Sequence, residues 1–168
     1  MPLELNGTTG VQGNSGAFVA GTAVASTSGT SIDFTSIPSW VKRVTVMFNG
    51  VSTNGSSIPQ IQIGAGSVDT TGYTGSAWLA NTSNTQMSTG FLITGSNAAS
   101  YTYSGAITLS LFGSNLWVAS GVLGLTNTPS TNHMGGAKTL SGTLDRVRIT
   151  TVNGTDAFDS GSINILYE

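Results

Sequence analysis

The side chains that could carry out acid–base, nucleophilic or metal chemistry are scarce in this chain of 168 residues. It contains one histidine, His133, and no cysteine, which excludes thiol catalysis and histidine-rich or thiolate metal sites. A serine hydrolase would need His133 beside a serine and an acid, and no serine lies in a nucleophile-elbow motif. We therefore interpret His133 as a residue of a polar surface loop, 126–138, without a catalytic role.

Carboxylate pairs offer a second possibility, because glycoside hydrolases cleave sugars with two acidic side chains. Among the acidic residues, Asp156 and Asp159 are close in sequence, within the segment NGTDAFDSG. A calcium-binding loop requires more acidic ligands at regular spacing than this segment contains. We interpret it as a turn whose carboxylates cap strands or face solvent, with a weak cation site as the alternative. We predict no enzymatic activity, no cofactor and no metal site.

Aromatic side chains in polar segments are the stronger candidates for binding. Four of them lie in segments 64–84 and 95–104, which are rich in Gly, Ser and Thr and which we predict to be long loops. These are Tyr73, Trp78, Tyr101 and Tyr103. Sugar rings stack on such rigid rings, and small polar neighbours add adaptable hydrogen bonds. We predict that these residues bind a ligand, with a hydrogen bond from His133; the alternative is that several cover the ends of the fold or a subunit interface.

The composition favours a folded protein with a polar, mostly uncharged surface. Charged residues make up 7% of the chain, against about 25% in ordinary domains. The hydrophobic fraction of 38% and the net charge of −2 argue against disorder. The five Lys and Arg residues form no run, which argues against nucleic acid binding. No apolar run is long enough to cross a membrane, and the N-terminus shows no signal-peptide pattern.

Alternation of apolar and polar residues predicts an all-β fold. In the stretch 29–55, Val44, Val46 and Phe48 alternate with polar or exposed positions, and Pro38 marks a corner between two strands. About eight such segments follow one another, with Gly, Asn and Ser turns between them and no helical period. This pattern is typical of an antiparallel β-sandwich or jelly roll.

Two further features concern domains and assembly. Residues 1–16 are too short and too rich in glycine to form a core, so we predict an extended attachment arm followed by one β-sandwich domain, 17–168; the alternative is an ordinary loose terminus. The segment Leu116–Leu125 is apolar on both faces. This predicts a strand deep in the sandwich or at a subunit interface, and therefore a homo-oligomer.

Several stretches resemble proteins of bacteriophage tails. TSIDFTSIPSWVKRVTVMFNGVSTNG, IQIGAGSVDTTGYTGSA and FDSGSINILYE resemble a domain that recurs at the C-terminal end of phage tail-fibre proteins. The opening LELNGTTGV resembles the start of small phage fibre and tail proteins. The resemblance implies a structural virion component near the receptor-binding end of a tail, made in the host cytoplasm and assembled as a homotrimer.

From the residues and the resemblance together, we expect a non-enzymatic tail-fibre subunit whose β-domain binds a host-surface receptor, a glycan. The expected partners are other copies of the chain, tail or baseplate proteins contacted by the N-terminal arm, and the host glycan. The alternative is a connecting or decorating virion protein, of tail or capsid, without receptor contact. A sugar-cleaving enzyme is a third and weaker possibility.

Overall fold

The described part of the chain forms an all-β structure. The computed structural model describes residues 4–6, 10–12, 18–80 and 83–168, and these residues form β-strands and no helix. Every strand pair is antiparallel. The two main sheets pack against each other, which confirms the predicted all-β, antiparallel sandwich.

The predicted N-terminal arm is described only at two short strands. β1 (Glu4–Asn6) pairs with β2 (Gly10–Gln12). The rest of residues 1–16 lies outside the described residues, so the attachment role of the arm stays a prediction.

Within the described residues, the larger sheet has nine strands. From one edge to the other it contains β10 (Ser83–Gln86), β9 (Thr74–Leu79), β14 (Ser130–Thr139), β13 (Leu116–Leu125), β12 (Tyr103–Gly113), β6 (Arg43–Thr53) and β16 (Phe158–Tyr167), followed by β3 (Val19–Ala20) and β4 (Val24–Ala25), which both pair with β16. β3 and β4 form an edge of the sheet.

The smaller sheet has five strands. Its order is β11 (Phe91–Leu92), β7 (Pro59–Ala65), β15 (Arg146–Thr151) and β5 (Ser31–Thr35), with β8 (Ser67–Val68) also paired to β7. β7 and β15 are central, while β5 is an edge strand.

The core lies between the inner faces of the two sheets. Ile61, Ile149 and Ile32 lie side by side across β7, β15 and β5, and all three are buried. On the larger sheet, Val46 and Ile107 face each other across β6 and β12 with no exposed surface. Each such side chain contributes about 1.5–3 kcal/mol by leaving water. Because side chains alternate along a strand, the residues between them point outward.

Three segments predicted to be loops contain strands instead. Segment 64–84 includes β8, β9 and the start of β10, segment 95–104 runs into β12, and segment 126–138 forms most of β14. Their Gly, Ser and Thr residues carry no apolar period, but small residues let two strands approach closely. A Cβ on Gly136 would lie 2.5 Å from the Thr74 oxygen of β9. Backbone pairing with neighbours, rather than an apolar face, makes these segments strands.

The two-sided apolar segment Leu116–Leu125 forms β13, with the bounds expected from sequence. Its inner residues Trp117 and Leu123 are buried in the core. The outer residues Val118 and Val122 are 37% and 51% exposed. Within one chain, the interpretation of a strand buried on both faces is therefore wrong; burial at a subunit interface stays a prediction.

Candidate functional site

Tyr73 does not lie on a binding surface. The side chain is buried, and its hydroxyl accepts a hydrogen bond from the Ile63 amide (2.8 Å) while it donates to the backbone oxygen of Asp69 (3.0 Å) or Ile63 (3.2 Å). The ring meets Phe91 edge-on, with centroids 4.9 Å apart, and Lys138 Nζ lies 5.4 Å from its centroid. Burial raises the pKa of the Tyr73 hydroxyl above its usual value. The prediction that this ring is exposed in a loop is wrong.

Tyr103 is also a core residue. It is buried at the start of β12, and its hydroxyl donates to Asn97 Oδ1 at 2.8 Å. Burial raises the pKa of this hydroxyl too. Tyr101 is half-buried and packs edge-on against Tyr103, with ring centroids 6.5 Å apart. Tyr103 therefore belongs to the core cluster, and Tyr101 packs against that cluster. The prediction that Tyr103 is an exposed loop residue is wrong.

Trp78 and His133 are the predicted residues that the fold brings together on an exposed surface. Trp78 on β9 lies opposite His133 on β14, and their rings stack with centroids 5.8 Å apart at an angle of 27°. Trp78 is 45% exposed, and His133 is also exposed. The neighbours Leu79 and Met134 point into the core, so the alternation of both strands directs the two rings outward. His133 lies within a strand, and the loop predicted for it is not present.

Four strands around this ring pair, β9, β14, β13 and β12, direct no charged side chain outward, whereas the next strand, β6, carries the exposed Arg43. The outward residues in register with the pair are, in order across the sheet, Asn84, Trp78, His133, Val122, Ala106 and Met47. Strands β9, β12, β13 and β14 contain one residue of the Asp, Glu, Lys and Arg types, Lys138, and that residue is buried. We call this surface the outer face of the larger sheet.

The arrangement suits a ligand that offers a flat apolar surface together with hydrogen-bonding groups. The indole and imidazole rings supply flat area, and their ring nitrogens can form hydrogen bonds. Asn84 is exposed on the strand beside Trp78, and its side-chain amide can both donate and accept. Sequence analysis missed Asn84 and Val122, because only strand register shows that they flank the ring pair.

Asp156 and Asp159 form hydrogen bonds that connect their own segment to β6 and the loop after it. Asp156 accepts hydrogen bonds from the Ser57 amide (2.8 Å) and from Asn153 Nδ2 (2.7 Å). Asp159 accepts a hydrogen bond from the Ser52 hydroxyl. Asp156 thus joins the connection between β15 and β16 to the loop that follows β6. Asp159 joins β16 to β6 itself. Among the described residues, no three His, Cys, Asp or Glu side chains are placed to hold a metal ion.

Comparisons with known proteins add no identification: no family model matches the chain, and no curated protein or solved structure is significantly similar to it. Within the described residues, no helix has the length and apolar character needed to span a bilayer.

Proposed function

We propose that this chain is a non-enzymatic subunit of a bacteriophage tail fibre and that its β-sandwich binds a neutral glycan on the host surface. The observation that carries the glycan proposal is the exposed Trp78–His133 stack on the outer face of the larger sheet. The resemblance of the stretches at 30–55 and 158–168 to tail-fibre domains supports the virion setting. The sandwich supports this role because its strands hold the rings in a fixed position.

The chemistry of the outer face favours an uncharged sugar. An anionic glycan would be expected to meet Arg or Lys side chains, and none points outward from β9, β12, β13 or β14. A pyranose ring has an apolar face that can lie on the indole, while its hydroxyls can bond to Asn84 or His133. Shape and hydrogen bonding, rather than charge, would then determine which sugar is bound.

The test is binding of purified protein to an array of bacterial surface glycans, followed by the variants Trp78→Ala and His133→Ala. Loss of a stacking aromatic costs about 1–3 kcal/mol, so Trp78→Ala should weaken binding about 5- to 160-fold. Phe112→Ala is the matched control, because Phe112 is 78% exposed at the end of β12 and should leave affinity unchanged. Equal affinity of the Trp78→Ala variant and the wild type, with melting temperatures matched, would contradict the proposed site.

A connecting or decorating role in the virion is the second candidate. Val118 and Val122 are exposed on the same face, on a strand without charged residues. Exposed apolar side chains of this kind also suit contact with another protein. Labelling the chain in intact virions separates the two roles. A distal, free-ended position supports receptor binding, whereas a position between other proteins supports a connector.

A further inference from the structure

The outer face of the smaller sheet carries a polar grid that the Trp78–His133 site does not involve. Two rows of outward side chains cross β7, β15 and β5, directly behind the buried isoleucines of the core. One row is Gln60, Thr150 and Ser31, and the other is Gln62, Arg148 and Asp33. Amide, hydroxyl and guanidinium groups therefore lie side by side on three adjacent strands.

Both glutamines are buried although they face away from the core. Gln60 is 1% exposed and Gln62 is 5% exposed. Thr89 covers them: its hydroxyl donates to Gln60 Oε1 at 2.9 Å, and its backbone oxygen accepts from Gln62 Nε2 at 2.8 Å. Buried amides are stable only when they are hydrogen-bonded, and these bonds fix their orientation. Gln62 Oε1 accepts no hydrogen bond from any residue that the structure describes.

Every residue of the grid except Asp33 lines an open cleft of about 310 Å³. This volume is at the lower end of the range of about 300–1,000 Å³ for small-molecule sites. Thr70, Thr89 and Asn153 also line it, and among its lining residues only Val152 has an aliphatic side chain without a polar group. Most small-molecule pockets are apolar, so this lining selects a ligand with many hydrogen-bonding groups.

The charge in the cleft is already compensated. Arg148 Nε lies 2.7 Å from Asp33 Oδ1, and a terminal guanidinium nitrogen lies 3.1 Å from Asp33 Oδ2, a two-point ion pair. A phosphate or carboxylate ligand would have to compete with Asp33 for this guanidinium. The remaining guanidinium N–H groups are still available as donors to a neutral oxygen.

We infer that this cleft binds a neutral sugar through the edges of its ring, separately from the Trp78–His133 face. A sugar hydroxyl both donates and accepts, and so matches the amide oxygen of Gln62, the hydroxyl of Thr70 and the donors of Arg148. No aromatic ring lines the cleft, so recognition depends on hydrogen bonds and on the pattern of hydroxyl groups. The inference goes beyond the proposed function and stands without it.

Nuclear magnetic resonance titration of the full chain with the methyl glycosides of glucose, galactose, mannose and N-acetylglucosamine, through the millimolar range, tests this directly. Binding in the cleft should shift the side-chain amide signals of Gln60 and Gln62 and the Nε–H signal of Arg148. The indole signal of Trp78 reports the other site independently. If the Trp78 signal moves and the Gln60, Gln62 and Arg148 signals do not, the cleft proposal is overturned while the proposed function is supported.

Adjacent threonines provide the variant and its control. Thr70 and Thr71 are both exposed, and neither side chain makes a hydrogen bond among the described residues, but only Thr70 lines the cleft. One lost hydrogen bond of about 0.5–1.5 kcal/mol corresponds to about 2- to 12-fold weaker binding, which we expect for Thr70→Val. Thr71→Val should bind as the wild type does. Equal sugar affinity in the two variants, or no shift of the cleft signals with any of the four glycosides, overturns the proposal.

Discussion

At the scale of single residues, Asp156 holds the turn between β15 and β16 against the loop that follows β6. Its two carboxylate oxygens bond to Ser57 and Asn153. Gly55 lies beneath this carboxylate, since a Cβ there would be 2.1 Å from Asp156 Oδ2 and 2.2 Å from its Cγ. Any side chain at position 55 would therefore displace the Asp156 carboxylate from its hydrogen bonds.

This contact predicts a non-additive pair of substitutions. Asp156→Ala should lower the free energy of unfolding by about 1–3 kcal/mol, because it leaves polar partners without an acceptor. Gly55→Ala should also destabilise the wild type, but less in the Asp156→Ala background, where the overlapping atoms are gone. Urea unfolding of the four proteins measures this, with Thr155→Ala as an exposed control. If the losses in free energy of unfolding caused by Gly55→Ala and Asp156→Ala simply add in the double variant, the Asp156 carboxylate is not the reason that position 55 is a glycine.

The two buried tyrosines predict loss of stability at alkaline pH. An unfolded tyrosine ionises near pH 10, whereas burial raises the pKa of Tyr73 and Tyr103 above that value. Above pH 10 the unfolded chain binds fewer protons than the folded chain, so the free energy of unfolding falls as pH rises. The slope is up to about 1.4 kcal/mol per pH unit for each tyrosine, and stability below that pH is unaffected.

Urea unfolding between neutral pH and pH 11 measures this slope. Tyr103→Phe removes one of the two groups and should roughly halve it. If the slope above pH 10 is the same in the variant and the wild type, Tyr103 does not contribute to the alkaline transition.

At the scale of elements, the glycines of β14 determine how closely β9 can approach and thus where Trp78 lies. A Cβ on Gly136 would meet the Thr74 oxygen at 2.5 Å and Met87 Sδ at 2.7 Å. A Cβ on the adjacent Gly135 would meet nothing nearer than the Ala119 oxygen at 3.9 Å, an ordinary contact. A methyl group therefore fits at Gly135 but not at Gly136.

We predict that Gly136→Ala destabilises the fold by about 1–3 kcal/mol through overpacking. Gly135→Ala should be neutral or stabilising by up to about 1 kcal/mol, because alanine restricts the unfolded chain. Thermal unfolding of both variants is the measurement, with indole fluorescence as a readout of the environment of Trp78. Equal melting temperatures for the two variants would contradict the close approach of β9 and β14.

At the scale of the whole molecule, we propose that the chain assembles as a homotrimer through the outer face of the larger sheet around Val118 and Val122. These side chains are exposed in the single chain, on a strand without charged residues. Arg43 on β6 lies in register with Val118, two strands away. Val122 lies directly beside His133, whereas Trp78 lies on the second strand from Val122, about 10 Å away at the usual strand spacing. A contact centred on β13 can therefore leave Trp78 accessible at its rim.

Light scattering should give three times the chain mass of 17.0 kDa. Val122→Glu should reduce the mass to that of one chain, because a charge would be buried in the contact, whereas Trp78→Ala should leave the trimer intact. A wild-type mass of one chain at micromolar concentration would refute the trimer for the isolated protein.

Along each patterned strand, the direction in which the side chains point can be read from the sequence. Ile61 and Ile63 alternate with Gln60 and Gln62, and this period of two depends only on local backbone geometry. The all-β class followed from the same signal. The bounds of Leu116–Leu125 followed instead from apolar residues on both faces of the segment. Segments without apolar alternation carried no such signal, and for that reason the strands β9 and β14 were mistaken for loops.

Which strands are neighbours depends on the packing of the whole folded chain. Trp78 meets His133, and Gln62 meets Arg148, because β9 pairs with β14 and β7 pairs with β15. These pairings join residues far apart in the chain and depend on the register that buries the most apolar surface over the whole sandwich. The same packing put Tyr73 and Tyr103 in the core, since a ring surrounded by small polar residues in sequence can still have an apolar environment in space.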